Sequence, residues 1–188
     1  MRRIIAEEGR GGYTVQTLGE LIGERDLDCD LVVSELYGMV SYTQSARLRI
    51  TYRFDAQSGV SAWELTLDWP EGTTLSGSIK AGMRCAYRTL FAAVDLTGDY
   101  KEDFIFLLVP VGADAAQGGE LHVLSERDGA LAEILTLRND GARGAGFRNA
   151  DVARCAGLNL LRIEKDPSDQ IDFVCLWYNR NGEWEEIK

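Results

Sequence analysis

The sequence contains a single histidine, His122, and no long hydrophobic run. Its longest strongly apolar stretch, residues 104–111, is far below the roughly 20 residues that a membrane-spanning helix needs. No G-x-x-x-x-G-K-[ST] loop, dinucleotide fingerprint or G-x-S-x-G elbow occurs. A catalytic triad or cysteine-histidine dyad would have to use the one histidine. We therefore expect no membrane insertion and no nucleotide-cofactor chemistry, and we interpret His122 as a structural or surface residue.

The four cysteines lie far apart and form neither a C-x-x-C motif nor a cysteine-histidine cluster with zinc-ligand spacing. A metal-thiolate site is therefore not expected, and the sequence leaves any disulfide pairing open. Cys175 lies within the apolar run 173–177, which predicts a small buried side chain. The cysteines are Cys29, Cys85, Cys155 and Cys175.

Acidic residues outnumber basic ones by 30 to 20, which gives a formal net charge of -10. A surface of this sign repels nucleic acid and anionic lipid headgroups, so neither is expected as a partner. The first residues are basic but are followed by Glu7 and Glu8 before any apolar stretch of signal-peptide length. The protein is therefore expected either to be cytosolic or to have lost a signal or anchor.

One pair of strands can be aligned residue by residue. Residues 47–54 carry apolar side chains at even positions and residues 63–69 at odd positions, which is the period of β-strands. Opposite residues share a face, and the connecting loop favours Arg47 opposite Asp68. This register buries the pairs Leu48–Leu67, Ile50–Leu65 and Tyr52–Trp63, and it places Arg49 and Arg53 diagonal to Glu64 in a solvated ladder of charges.

Most of the remaining chain also predicts strands, at 89–96, 104–111, 120–124, 130–135, 157–163, 172–178 and 183–187. Residues 126–129 and 179–182 predict hairpin turns, and residues 139–149 predict a surface connection. Short helices are predicted at 17–22, where Thr17 and Glu20 match a capping box, and at 81–87. The predicted fold class is mainly β, with antiparallel four-stranded meanders and one or two short helices.

An acidic loop, residues 95–103, separates two of the apolar strands. Oxygen-bearing side chains occupy the first, third, fifth and ninth positions of this loop. Calcium takes six to eight oxygen ligands, and a tightly curled loop of this pattern can surround the ion with a backbone carbonyl added. The candidate metal ligands are the side chains of Asp95, Thr97, Asp99 and Asp103 and the carbonyl of Lys101.

At these residues the chain resembles the FG-GAP repeats of integrin-alpha-like β-propellers, in which a D-x-[DNT]-x-D-G-x-x-D loop connects two strands of a blade. The resemblance implies a blade-like four-stranded sheet, structural calcium and an extracytoplasmic binding or adhesion setting. Tyr100 replaces the usual glycine of the loop, and the Phe-Gly and Gly-Ala-Pro elements of the repeat are absent.

A degenerate copy of the loop is predicted at residues 164–172, with Asp172 matching Asp103. We interpret residues 1–188 as one domain, with an N-terminal segment at 1–80 that contains the hairpin 47–69, an FG-GAP-like blade at 81–138 and a degenerate second blade at 150–188. A closed propeller generally needs at least four blades. The predicted sheets are therefore packed as an open partial propeller or a β-sandwich.

These features predict a non-catalytic extracytoplasmic or cell-surface module, such as the soluble part of a bacterial lipoprotein or receptor, that binds a protein or a glycan. A small glycan-acting hydrolase with paired carboxylates is the alternative, and a purely structural domain is a third. A cytoplasmic location stays open. The tryptophans are expected to serve mostly in the core, with Trp184 the better candidate for exposure; the other three are Trp63, Trp69 and Trp177.

Overall fold

A computed structural model of the chain describes residues 6–8, 14–17, 19–21, 27–37, 40–55, 57–58, 60–81, 87–99, 101–110, 119–138, 147–155, 158–165 and 172–187. Within these residues the chain is mainly β-strand and contains no helix. The strands are β1 (Ala6–Glu8), β2 (Thr14–Thr17), β3 (Gly19–Leu21), β4 (Leu27–Tyr37), β5 (Val40–Asp55), β6 (Val60–Asp68), β7 (Thr74–Lys80), β8 (Tyr87–Val94), β9 (Asp103–Pro110), β10 (Glu120–Arg127), β11 (Ala130–Leu137), β12 (Phe147–Cys155), β13 (Leu158–Lys165), β14 (Asp172–Tyr178) and β15 (Trp184–Ile187).

The strands form three antiparallel sheets. The first sheet is the meander β4-β5-β6-β7, the second has the order β11-β10-β9-β8-β3, and the third has the order β1-β2-β12-β13-β14-β15. Each sheet therefore contains four strands that are consecutive in the chain. Short strands from the N-terminal region are added at one edge of the second and third sheets, so that residues far apart in sequence become neighbours.

The register predicted for β5 and β6 is confirmed. Arg47 pairs with Asp68, and the pairs Leu48–Leu67, Ile50–Leu65 and Tyr52–Trp63 follow. Arg53 Nε lies 3.0 Å from Glu64 Oε2, as the diagonal arrangement requires, whereas Arg49 Nη2 contacts Asp68 Oδ2 at 2.7 Å. The ladder is exposed, and the basic residues are half of a solvated set of ion pairs.

The second sheet packs against both of the others through two apolar cores. Phe104, Phe106 and Leu108 of β9 lie in a core shared with the first sheet, while Ile105 and Leu107 lie in a core shared with the third sheet. All five side chains are almost completely buried. A strand covered on both faces needs apolar residues at successive positions, which explains the unbroken apolar run of the sequence.

At Gly77 of β7 the first and second sheets approach each other closely. A Cβ at this position would lie 2.4 Å from the carbonyl oxygen of Leu131 and 2.6 Å from its Cβ. Backbone atoms cannot yield as a flexible side chain can, so glycine is the residue that allows β7 to pack on β11. Both sheets are thereby fixed in position at this contact.

Two expectations about local structure were wrong. The capping-box segment at 17–22 is not helical, because Gly19–Leu21 forms β3 and pairs with β8 through Gly19–Phe91 and Glu20–Leu90. The surface connection expected at 139–149 is wrong for its last three residues, because β12 begins at Phe147, while residues 139–146 lie outside the described residues. For the helix predicted at 81–87, residues 82–86 lie outside the described residues.

The hairpin turns of the second and third sheets were predicted correctly. Asp128 and Gly129 have φ angles of 51° and 78°, the left-handed backbone that tight two-residue hairpins require. Gly182 has a φ of 82°, and its amide donates to the Asn179 carbonyl oxygen at 3.0 Å. These two turns place Arg127 and Tyr178 at the ends of β10 and β14, where both side chains reach the acidic loop region.

Candidate acidic-loop site

The acidic loop follows β8 and leads into β9 of the second sheet. Asp95 and Asp99 make local turns, since Asp95 Oδ1 accepts a hydrogen bond from the Gly98 amide at 2.6 Å and Asp99 Oδ1 accepts one from the Lys101 amide at 3.0 Å. Gly98 has a φ of 75°, a backbone that favours glycine. Carboxylates that accept from amides two or three residues later stabilise a tight turn.

Asp103 is the buried anchor of the loop. Its side chain is fully buried, and Oδ2 accepts hydrogen bonds from the amides of Leu96 at 2.7 Å and Thr97 at 2.9 Å. Burial raises the pKa of Asp103 to about 6, although Ser125 and these two amides act in the opposite direction. Asp103 Oδ1 and Thr97 Oγ1 are buried atoms without a hydrogen-bond partner of good geometry.

Two cations of the protein itself lie at the outer side of the loop. Arg127 Nη1 lies 3.6 Å from Asp99 Oδ2, and Lys101 Nζ lies 3.0 Å from Glu126 Oε1. The side chain of Lys101 therefore points toward β10. These ion pairs are partly exposed, so each is expected to contribute little to stability on its own, but together they connect the loop to the end of β10.

The loop is also connected to the third sheet. Asn159 Nδ2 of β13 donates to the carbonyl oxygen of Asp95 at 2.5 Å, and Arg127 Nη2 donates to the Tyr178 hydroxyl of β14 at 3.3 Å. Nearby, Trp184 Nε1 of β15 donates to the carbonyl oxygen of Ile134 in β11 at 3.1 Å. Polar contacts therefore cross from the second sheet to the third on this side of the molecule.

A pocket of about 70 Å³ lies where the loop meets the third sheet. That volume accommodates roughly two water molecules, or one polar group of a larger ligand. Its lining combines loop residues with an amide and two aromatic residues, and Asp95 is the one acidic residue among them. The lining residues are Asp95, Leu96, Thr97, Gly98, Asn159, Trp177 and Tyr178.

The donor chemistry of the loop fits a hard cation, because Asp103 Oδ1 and Thr97 Oγ1 are oxygen acceptors without partners of good geometry. The predicted ligands do not, however, gather around one point: within the described ranges, no group of three or more acidic, histidine or cysteine side chains could hold a metal ion. Asp99 faces Arg127 instead. Tyr100 and residues 166–171 of the second copy lie outside the described residues. The five-ligand calcium site stays a prediction.

A second polar cluster surrounds His122, whose side chain is fully buried. His122 Nδ1 hydrogen bonds to a carboxylate oxygen of Glu133, and Nε2 lies 3.5 Å from Glu120 Oε2 without hydrogen-bond geometry. Glu120 Oε2 in turn accepts from Arg138 Nε at 3.1 Å. The sequence did carry a signal for this cluster, since Glu120 and His122 stand two apart on one strand and must share a face.

Three further residues were singled out by the sequence. Trp63 is 3% exposed and lies in the first core, as predicted. Trp184, the better candidate for exposure among the tryptophans, is half-buried because its ring packs against the second core and against Tyr178 at 5.2 Å between centroids. Cys175 is a free cysteine, and its partial burial raises the pKa of the thiol.

Among the described residues, no helix is long and apolar enough to span a membrane. Comparison of the chain with protein-family models, with curated proteins and with solved structures found no match.

Proposed function

We propose that the protein is a non-catalytic, extracytoplasmic binding module in which the acidic loop joins two blade-like sheets and is stabilised by calcium. The observation that carries this proposal is the position of the loop between the second and third sheets. The Asp95 carbonyl oxygen accepts a hydrogen bond from Asn159 of β13, and Trp177 and Tyr178 of β14 line the pocket beside the loop. A loop placed between sheets supports an architectural role for the metal and a binding role for the pocket beside it.

The blade-like interpretation is supported by the repeated four-strand meander. The second and third sheets each contain such a meander, and apolar residues from both form one core. Sheets that follow one another in the chain and pack face to face suit an open partial propeller. The FG-GAP resemblance of the loop that connects β8 and β9 agrees with this arrangement.

The pocket favours a glycan as the ligand. Aromatic residues adjoin carboxylate, hydroxyl and amide groups, a mixture that suits the apolar faces and hydroxyl groups of sugars. A hydrolase would need two carboxylates separated by about 5 to 10 Å, whereas Asp95 is the single acidic residue in the lining. Among the described side chains, Ile187 is the one large apolar residue classed as exposed, so an apolar protein-binding patch has less support.

Calorimetric titration with neutral and acidic oligosaccharides, in calcium and in chelator, tests the binding role. Asp95→Asn keeps an oxygen for the Gly98 amide but removes the charge from the pocket, so we expect a stable variant with at least about tenfold weaker saccharide binding. Asp128→Asn is the matched control, because it removes the same charge from an exposed turn. The glycan assignment is rejected if no saccharide binds, or if both variants bind as the unaltered protein does.

A further inference from the structure

The loop side of the pocket has its backbone donors directed at the loop's own carboxylates. The amides of Leu96 and Thr97 donate to Asp103 Oδ2 at 2.7 and 2.9 Å. The amide of Gly98 donates to Asp95 Oδ1 at 2.6 Å. Each backbone N–H group is a single donor, so these three amides are engaged before any ligand arrives.

The side of the pocket formed by the third sheet shows the same pattern. Asn159 Nδ2 donates to the carbonyl oxygen of Asp95 at 2.5 Å, and Trp177 Nε1 donates to Glu185 Oε2 at 3.1 Å. On both sides, donors of the lining residues are directed at acceptors of the protein. The pocket therefore suits a ligand that donates hydrogen bonds better than one that accepts them.

Asp95 supplies the carboxylate that can accept from such a ligand. An ionised carboxylate has two oxygens with about four acceptor sites, so Asp95 can accept from a ligand as well as from the Gly98 amide. Asp95 is half-buried, and a hydrogen bond is stronger where water is partly excluded. The strongest donor for this position is one that carries a positive charge.

The charges around the pocket also favour a cation. Residues 95–103 contain four acidic residues and one basic residue, Lys101. Lys101 Nζ lies 3.0 Å from Glu126 Oε1, and the guanidinium group of Arg127 lies 3.6 Å from Asp99 Oδ2. Both cations of the protein thus have carboxylate partners of their own. The remaining negative field, together with the net charge of -10, attracts a cationic ligand and repels an acidic one.

The size and the aromatic lining of the pocket narrow this ligand to a small cation. The volume of about 70 Å³ accommodates an ammonium group, which is as large as a water molecule, more readily than a bulkier acetamido group. Trp177 lines the pocket, and the indole ring is the aromatic group that attracts cations best. The Tyr178 hydroxyl accepts from Arg127 at 3.3 Å, so its own O–H group can donate to a hydroxyl oxygen beside the ammonium group.

We propose that the pocket binds the ammonium group of an unacetylated amino sugar, with Asp95 as its carboxylate partner and Trp177 as its aromatic neighbour. This inference rests on the glycan-binding role proposed above and names the class of sugar; it does not depend on calcium. A neutral sugar lacks the charged donor, and an acidic sugar is repelled by Asp95. An N-acetylated amino sugar brings a carbonyl acceptor to a pocket whose donors are engaged.

Calorimetric titration with oligomers of glucosamine and of N-acetylglucosamine, matched in length and linkage, tests the proposal in chelator at a pH at which the amines are protonated. The unaltered protein should bind the glucosamine oligomer at least about tenfold more tightly, because a charge-assisted hydrogen bond replaces a neutral one. Asp95→Asn should reduce this preference to within about threefold. Asp128→Asn, which removes the same charge from an exposed turn, should keep the preference.

The comparison of the two oligomers uses the unaltered protein and does not depend on how a variant folds. Equal or tighter binding of the N-acetylglucosamine oligomer overturns the amino-sugar inference alone, since a glycan is still bound. An equal preference in Asp95→Asn and Asp128→Asn also overturns it. Spermine, a flexible polyamine without sugar rings, should bind at least about tenfold more weakly than the glucosamine oligomer; equal binding means that net charge alone attracts the amines, and the inference fails. If none of the saccharides binds, the glycan-binding role and the inference both fail.

Discussion

The His122 cluster and the acidic loop are both polar, but they differ in what they connect. The His122 cluster lies on neighbouring strands of one sheet, and the side chains of His122 and Glu120 are 0% and 3% exposed. The acidic loop makes polar contacts to another sheet through Asn159, and Arg127 extends the connection to Tyr178. The loop also adjoins a pocket, whereas the side chains of His122 and Glu120 are closed off from solvent.

This difference is the reason that we expect a role in stability for the His122 cluster and propose a binding role for the acidic loop. Buried polar side chains that contact one another within one sheet favour one arrangement of the core, and the His122 and Glu120 side chains are closed off from a ligand. Polar groups at a partly exposed junction can exchange partners with ions or solutes. We therefore propose that the binding function lies at the acidic loop, which is a junction of this kind. The following predictions test the comparison, from the largest expected effect to the smallest.

Replacing His122 with leucine should have the largest effect on stability. The substitution removes the hydrogen-bond partner of Glu133 and also the imidazole that lies beside the buried Glu120 carboxylate. The free energy of unfolding should therefore fall by about 3 kcal/mol. Urea denaturation at neutral pH measures it. Glu126→Gln, on the same strand but in a partly exposed ion pair, should cost less than about 1 kcal/mol. Equal losses would remove the distinction between the two regions.

Asp103 should make stability depend on pH. Its pKa is about 6 in the folded protein against an ordinary value of 3.8, so the folded state holds the proton over a range in which the unfolded chain has lost it. The contribution of Asp103 is therefore fully present below about pH 3.8 and is lost as the pH rises through about 6.

In chelator, the free energy of unfolding of the unaltered protein should fall by about 2 kcal/mol relative to Asp103→Asn between about pH 4 and about pH 7. Urea denaturation at several pH values gives the difference between the two proteins, and titration of the other carboxylates cancels in that difference. If the free energies of unfolding of the two proteins change in parallel with pH, Asp103 is not titrating as a buried group.

Asn159→Ala should weaken the junction between the second and third sheets by about 1 kcal/mol, because one hydrogen bond to the Asp95 carbonyl is lost. Native-state hydrogen exchange should localise the effect to the amides of Leu96 and Thr97, since these belong to the same loop. Protection factors in the first sheet serve as the internal reference. A loss of protection spread evenly over all three sheets would argue against a local junction.

Arg53→Gln should have the smallest effect, at most about 0.5 kcal/mol, because its ion pair with Glu64 is exposed on both sides. Adding about 0.5 M sodium chloride should remove the remaining difference between the variant and the unaltered protein. A larger loss would mean that the solvated ladder contributes as much as the junction does.

The sequence predicted structure best where local patterns agree with long-range packing. For β5 and β6, the alternation, the loop length and the charges all favoured one register, and that register is present. At 17–22 the local pattern and the packing disagree. Thr17 and Glu20 match a helix start, but pairing of Gly19 with Phe91 decides the structure, and this partner is too distant in sequence to be recognised.

The candidate site was predicted in part for the same reason. The loop between two strands was identified, since it is a local pattern, and Asp103 is its buried anchor. Arg127 was interpreted only as part of a turn, because its contacts with Asp99 and Tyr178 depend on how the second and third sheets pack. The link from Glu120 and His122 to Glu133 depends on the pairing of β10 with β11.

The central claim is that the acidic loop is a junction stabilised by calcium. Thermal unfolding of the unaltered protein and of Asp99→Ala, each with about 1 mM calcium and with chelator, tests it most directly. A ligand that binds only the folded state stabilises it in proportion to the logarithm of its concentration. We predict that calcium raises the unfolding temperature of the unaltered protein and leaves that of Asp99→Ala unchanged. The same unfolding temperature with calcium and with chelator in both proteins would contradict the claim.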